Sequence, residues 1–428
     1  MRSSRLVAAS LIGVVAAALA VSTAVPASAL SAPAAPSAPA GPSVSSGSAD
    51  PAHRRTLDLP APRGRYATGV STFRLVDDGR ADPWVPGQTY RELMISVFYP
   101  AAHTAGRPPT AQFPAAVAAA VGPAVEGNNG LPAGLVDWAA TRTHSVQDPA
   151  TAPGRFPVVL YSPGGADSRD WNVSLVEDLA SRGYVVVTID HTGEAPATQF
   201  PDGHVVGNAA VWAAWNQADQ DHTTLAFFTK LMQAREADTE LVLDRLTSLP
   251  DRLTAGMDLD RIGMFGHSAG GFTTANMMAA DPRIKAGADL DGTLEYTAKP
   301  DGTNLSQVAL HGLDRPFLLV GSSGREASNV HGEPSWASFW QHQRGWKADV
   351  TLNDSEHVSF TDAEALLPQL ADRVPAGTLA TALGTGDPRR AVTANRALVS
   401  SFFDRFLKGC DNGLLDGGPS PYPITFER

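Results

Sequence analysis

Seven short apolar runs, rich in β-branched residues and separated for the most part by helical patterns, constrain this chain more than any other feature. They are residues 93–99, 157–161, 184–189, 261–265, 286–290, 316–320 and 348–352. Each has turn-forming residues beside it and reads as a buried strand. Between them, 172–182 (NVSLVEDLASR) and 234–249 place apolar residues at helical spacing; Gly183 stops the first, and Leu241, Leu246 and Leu249 point inward in the second. Phe402, Phe403, Phe406 and Leu407 mark a C-terminal amphipathic helix that Gly409 can cap. Strands alternating with helices predict an α/β protein with a mostly parallel central sheet and helices on both faces.

Two segments interrupt the alternation. Residues 101–155 are Ala/Pro/Gly-rich, with an Ala/Val stretch at 115–121. Residues 191–260 hold Trp212, Trp215, Phe227, Phe228, Leu231 and Met232. Connections this long usually serve function, so 191–260 reads as a lid-like insertion and Trp212, Trp215, Phe227 and Phe228 as candidate substrate-binding residues. Aromatics at helical spacing equally describe a satellite core packed on itself.

Composition removes several classes. At 43% hydrophobic and 18% charged, the chain can bury a large core. Its 44 acidic and 33 basic residues give a net charge of −11 with no Lys/Arg block, so no nucleic-acid footprint is expected. One cysteine, Cys410, excludes a disulfide framework and a Cys-based zinc site; just past the helix cap, it reads as a half-buried structural thiol. His191, Glu194, Asp202 and His204 lie close together but match no strong metal spacing, so neither metal nor cofactor is expected.

The N-terminus reads as an export signal. Arg2 and Arg5 precede an almost wholly apolar run to Val25, and Ala27-Ser28-Ala29 supplies the small residues of a cleavage site. Residues 1–29 are thus expected to be a signal peptide of a secreted protein. Residues 30–55 then form a disordered Ala/Pro/Ser-rich leader, and 56–428 the folded domain.

Gly266-His267-Ser268-Ala269-Gly270 fits G-x-S-x-G, with a strand before it and a helical pattern after it. That setting is what a nucleophile elbow requires, with Ser268 presented at the carboxyl edge of the sheet. A serine hydroxyl needs a base, and the base needs a carboxylate to orient it. The chain order of this arrangement is Ser, then acid, then His. Asp289 and Asp291 both end the next strand and share one face by periodicity; Asp291, beside Gly292, is favoured. Of His311, His331, His342 and His357, His357 follows the final strand and is the candidate base, with His331 the alternative. His267 adjoins the nucleophile but is a poor base. Oxyanion donors are expected from Ala269 N–H and from the loop Ser162-Pro163-Gly164-Gly165-Ala166. There Pro163 has no N–H, and Gly165 is favoured over Gly164.

These residues resemble the type II platelet-activating factor acetylhydrolases and related bacterial esterases and lipases of the α/β-hydrolase fold. The likeness runs from about Leu59 to Leu407. It is carried by Arg91-Glu92-Leu93 through Tyr99-Pro100, Pro157-Val158-Val159, Ser162-x-Gly164, Asp178 to Tyr184, Asp190-His191, GHSAGG, Leu290-Asp291 and His357-x-x-Phe360-x-Asp362. The resemblance implies Ser268 as nucleophile, Asp291 as acid, His357 as base, and Gly165 and Ala269 as oxyanion donors. It implies metal-independent hydrolysis of lipid-like or short-chain esters through an acyl-enzyme. The expected partner is a small-molecule or lipid ester, with transient lipid-interface contact and no protein partner. A cutinase- or polyester-type hydrolase, a long-chain lipase and a catalytically silent binding module are the alternatives.

Overall fold

A computed structural model describes residues 54–298, 303–324 and 328–427. The expected signal peptide and nearly all of the leader lie outside the described residues. At the leader's expected end, Arg55 N–H already donates to Leu135 O at 2.8 Å.

The strands are β1 (Ala67–Asp77), β2 (Arg91–Ala102), β3 (Pro109–Ala111), β4 (Arg142–Gln147), β5 (Ala150–Thr151), β6 (Phe156–Ser162) and β7 (Val185–Asp190). They continue with β8 (Ala197–Gln199), β9 (Val205–Gly207), β10 (Met257–His267), β11 (Ile284–Leu290), β12 (Phe317–Ser322), β13 (Lys347–Leu352) and β14 (Ile424–Glu427). The longer helices are α1 (Ala115–Asn128), α2 (Val173–Ser181), α3 (Ala209–Gln220), α4 (Thr224–Arg245), α5 (Ala269–Ala280), α6 (Pro334–His342) and α7 (Pro388–Lys408). Gly183 and Gly409 follow α2 and α7 in left-handed backbone, at φ 90° and 68°, as a helix stop demands.

Across the main sheet the order is β14-β13-β12-β11-β10-β6-β7-β2-β1-β4-β3, with β5 on β2. The run β7-β6-β10-β11-β12-β13 is parallel throughout. β2 joins β7 antiparallel, and β14 joins β13 antiparallel. All seven expected strands fall inside this sheet. β1 escaped sequence reading because Ser71, in its middle, is a buried polar residue. Its hydroxyl donates to Asp148 Oδ1 at 2.6 Å and lies 3.2 Å from Tyr99 Oη, partners distant in sequence.

Alternation along the strands sorts two apolar cores, one per face. Val159, Tyr161 and Phe265 join one with α1, α2 and α7. Val158, Leu160 and Met264 join the other with α4, α5 and α6. From β6 the chain turns to β7 on one side, then returns to β10 on the other. The carboxyl ends of β6 and β10 therefore flank the point where strand order reverses, the crevice where open α/β sheets bind ligands.

The 191–260 segment is a β8–β9 hairpin followed by α3 and α4, and α4 lies along the body rather than standing clear of it. Among the described residues no helix is long and apolar enough to cross a membrane. Cys410 is exposed, not half-buried as its sequence position suggested, because it follows the αL cap and leaves the surface of α7.

Candidate active site

The elbow follows from steric necessity. β10 ends at His267 and α5 begins at Ala269, so Ser268 must reverse the chain within one residue. It does so at φ 55°, ψ −123°, a strained backbone for a side chain with a Cβ. The turn is held by Ser268 N–H to Leu290 O at 2.9 Å and by Gly271 N–H to Ser268 O at 2.9 Å. It closes only because its neighbours lack side chains. A Cβ on Gly266 would lie 2.1 Å from the Gly270 carbonyl carbon, and one on Gly270 would lie 1.9 Å from Ser162 O. Ser162 starts the loop expected to supply the second oxyanion donor, so the same contact brings that loop against the elbow. Gly165 is exposed, with open space where a side chain would be. Ser268 and Ala269 are both half-buried.

β11 ends at Leu290, and Asp291 leaves it in left-handed backbone at φ 62°. The two aspartates therefore do not share a strand face, and the structure gives them separate surroundings. Asp291 Oδ1 accepts the Ser322 N–H at 2.7 Å, and Oδ2 lies 2.7 Å from His357 Nδ1. Asp289 is wholly buried beneath the elbow, where its Oδ1 accepts Gly292 N–H at 2.8 Å. Burial, with the charge of Asp291 beside it, pushes its carboxyl well above the ordinary range.

His357 keeps 17% of its side chain exposed, on the accessible side of a buried Asp291. His331, the alternative base, is exposed and faces Glu427 at 3.7 Å. His311 and His342 are exposed as well. The His357 loop is held from behind. Asp362 accepts Val173 N–H at 2.8 Å, Ser174 N–H at 3.1 Å and Gln112 Nε2 at 3.0 Å. It thereby caps the first turn of α2 and ties the end of His-x-x-Phe-x-Asp to a core helix. Burial pushes this carboxyl up to about 6.

His267 is not a base but a brace. Its Nε2–H donates to the His357 carbonyl at 3.0 Å, and the two rings lie 4.6 Å apart. Burial and the neighbouring His357 lower its pKa and favour the neutral ring.

Sequence reading named His191 and Glu194 but not the polar cluster they join under the Ser162 loop. His191, the resemblance's Asp190-His191, sits with Nε2 2.9 Å from Ser162 Oγ and Nδ1 3.2 Å from Asp238 Oδ2. Asp238 also accepts from Arg91 and Arg80. Burial alone would raise its carboxyl, but Arg91 and His191 hold it well below the usual range. Arg235, fully buried on α4, pairs with Glu194 and reaches the same loop. A charged residue on a helix ordinarily faces water, so the sequence carried no signal for it.

Trp215, Phe227 and Phe228 are buried against one another and against Trp84, with ring centroids 5.2–5.9 Å apart. The satellite-core alternative describes these three; Trp212 is half-exposed at the cluster's edge. Tyr296 links the cluster to Phe272 on α5, one turn beyond Ser268.

A parallel sheet whose strand order reverses at β6 and β10, with a strained serine turn at that point, defines an α/β-hydrolase. Residues 55–250 match the family model described as platelet-activating factor acetylhydrolase, isoform II. A "Probable 1-alkyl-2-acetylglycerophosphocholine esterase" of Arthroderma benhamiae is 27% identical over 85% of this chain and 92% of its own. A platelet-activating factor acetylhydrolase of Canis lupus familiaris is 24% identical over 32% of this chain and 35% of its own. A ferulic acid esterase structure from Streptomyces cinnamoneus aligns with a TM-score of 0.69 at 33% identity, over 87% of this chain and 99% of that one. The chain belongs to the platelet-activating-factor-acetylhydrolase-like family of α/β-hydrolases and is a carboxylic ester hydrolase.

Proposed function

We propose a secreted serine esterase that works through Ser268, His357 and Asp291. The observation that carries this reading is a serine in strained backbone at the carboxyl edge of the sheet, together with a half-buried histidine held at 2.7 Å by a buried carboxylate. Ser268 Oγ attacks the ester carbonyl carbon while His357 Nε2 takes the hydroxyl proton. The oxyanion forms against the N–H groups of Gly165 and Ala269. Collapse expels the alcohol, which leaves with the proton returned by His357, and an acyl-Ser268 ester remains. Water deprotonated by His357 attacks that ester and releases the acid. Asp291 orients the ring and stabilises the imidazolium without taking the proton.

The substrate class we propose is a short-chain or lipid-like ester, supported by the A. benhamiae relative across nearly its whole length. An ester of a hydroxycinnamic acid is the second reading, favoured by the 33% identity to the ferulic acid esterase. Export rests on the N-terminal sequence pattern alone.

The test is turnover of nitrophenyl acetate, butyrate, octanoate and palmitate, methyl ferulate and an sn-2-acetyl phospholipid by wild type and Ser268→Ala. A short-chain maximum, with kcat lower by about 10⁴-fold or more in the mutant, is expected. Wild-type turnover by Ser268→Ala would overturn the serine mechanism. A maximum on methyl ferulate would move the substrate assignment and leave the mechanism in place.

A further inference from the structure

Arg235 is a cation only 1% exposed, more than forty residues into the 191–260 segment that sequence alone would make a lid. Glu194 Oε2 pairs with its guanidinium, Nη2 at 2.7 Å, and its main-chain partners all lie in one loop. Nη1 donates to Pro163 O at 2.8 Å, and Nη2 donates to Gly164 O at 3.1 Å. Nη1 also lies 3.4 Å from Ser162 Oγ, while Nε is held by Glu194 Oε2 at 2.7 Å. The guanidinium fork thus grips two successive carbonyls of the loop between β6 and the elbow.

A trans peptide points its C=O and the following N–H in opposite directions. No cis peptide occurs among the described residues. Drawing Gly164 O toward Arg235 therefore turns the Gly165 N–H away from it, toward the open side of the loop, where Gly165 is exposed. A cation on the carbonyl side also polarises the peptide and strengthens its N–H as a donor.

We infer that Arg235 is a positioning residue for the oxyanion hole, aiming and polarising the Gly164–Gly165 peptide so that the Gly165 N–H meets the tetrahedral intermediate. The inference rests on the serine-esterase reading above. The turn contributes too, since Asp167 N–H donates to Gly164 O at 3.2 Å. It leaves the Pro163 carbonyl to Arg235. His191 and Asp238 fix Ser162 at the loop's root, so the guanidinium acts on a loop already anchored at one end.

The experiment compares Arg235→Lys, Arg235→Met and Arg235→Met/Glu194→Gln with wild type. The double variant removes both buried charges, so it does not leave Glu194 unpaired in the interior. Active sites are counted by fluorophosphonate labelling, and turnover is expressed per labelled site. Affinity for a trifluoromethyl ketone, which forms a tetrahedral oxyanion on the serine, is measured alongside.

Full loss of an oxyanion donor lowers kcat by about 10²–10³-fold, so misaiming one should lower kcat per site by about 10- to 100-fold with KM little changed. Ketone affinity should fall in proportion, and Arg235→Lys, able to reach one carbonyl, should fall between wild type and Arg235→Met. If Arg235 only anchors α4 to the body, the melting temperature drops while turnover per site and ketone affinity stay at wild-type values. That result, in Arg235→Lys alone if the Met variants do not fold, overturns the inference. Failure of wild type to label, or wild-type turnover by Ser268→Ala, would instead strike the serine-esterase reading.

Discussion

Asp289 and Asp291 are the same residue two positions apart, and the structure makes them chemically opposite. Asp291 turns out of β11, receives Ser322 N–H on one oxygen and presents the other to His357. Asp289 stays under the elbow, where burial pushes its carboxyl well above the ordinary range. Two substitutions separate the roles. Asp291→Asn keeps the Ser322 contact but reverses what the ring can donate to, and should lower kcat by about 10⁴-fold. Asp289 does not face His357, so Asp289→Asn, similar in shape, should leave kcat near wild type, with the nitrophenyl acetate assay reading both. A silent Asp291→Asn would mean that the acid lies elsewhere. The sequence placed both aspartates at the carboxyl end of β11. It could not choose between them from periodicity, because the choice depends on a left-handed residue leaving the strand.

At the scale of elements, the connection 191–260 divides in two. Its aromatic half closes on itself: Trp215, Phe227 and Phe228 fill a cluster with Trp84, and Lys230 lies over the Trp84 ring at 4.6 Å. Its C-terminal half enters the body through buried polar contacts, Asp238 with Arg91 and His191, and Arg235 with the Ser162 loop. Truncating a packed aromatic leaves a cavity, so Trp215→Ala should cost about 3–5 kcal/mol in denaturant unfolding while kcat/KM for nitrophenyl acetate stays close to wild type. A stable Trp215→Ala with poor turnover of longer esters would instead make this side chain part of the acyl site. Moving α4 outward would break buried ion pairs and free the Ser162 loop, so the element behaves as a wall of the site. The helical period of α4 was legible from its leucines. Its buried charges were not, because their partners come from β2, the turn after β7 and the loop after β6.

Across the whole molecule, the sheet buries carboxyl groups whose pKa values burial raises. Asp349 on β13 is 1% exposed; burial, with Glu427 on the edge strand β14 beside it, pushes its pKa up to about 7. Between about pH 4 and 7 the folded state thus binds a proton that the unfolded chain, at the ordinary value of 3.8, has released. Stability from this group is full below about pH 4 and is lost as pH rises through about 7. Asp349→Asn should therefore raise unfolding free energy at pH 8 by on the order of 2 kcal/mol and change it little at pH 4. An equal effect at both pH values would show that Asp349 folds ionised. Within the described residues, the sequence by itself determined the alternation of strands and helices, the glycine-framed serine turn, and the strand ends near which Asp291 and His357 lie. These are local matters: period, steric fit between neighbours and order along the chain. The tertiary structure decided which aspartate faces His357, which aromatics pack inward, and which arginine reaches the Ser162 loop. Each depends on groups far apart in the chain, 66 residues for Asp291 and His357 and 72 for Pro163 and Arg235, meeting in a low-dielectric interior, where position sets charge and hydrogen bonding.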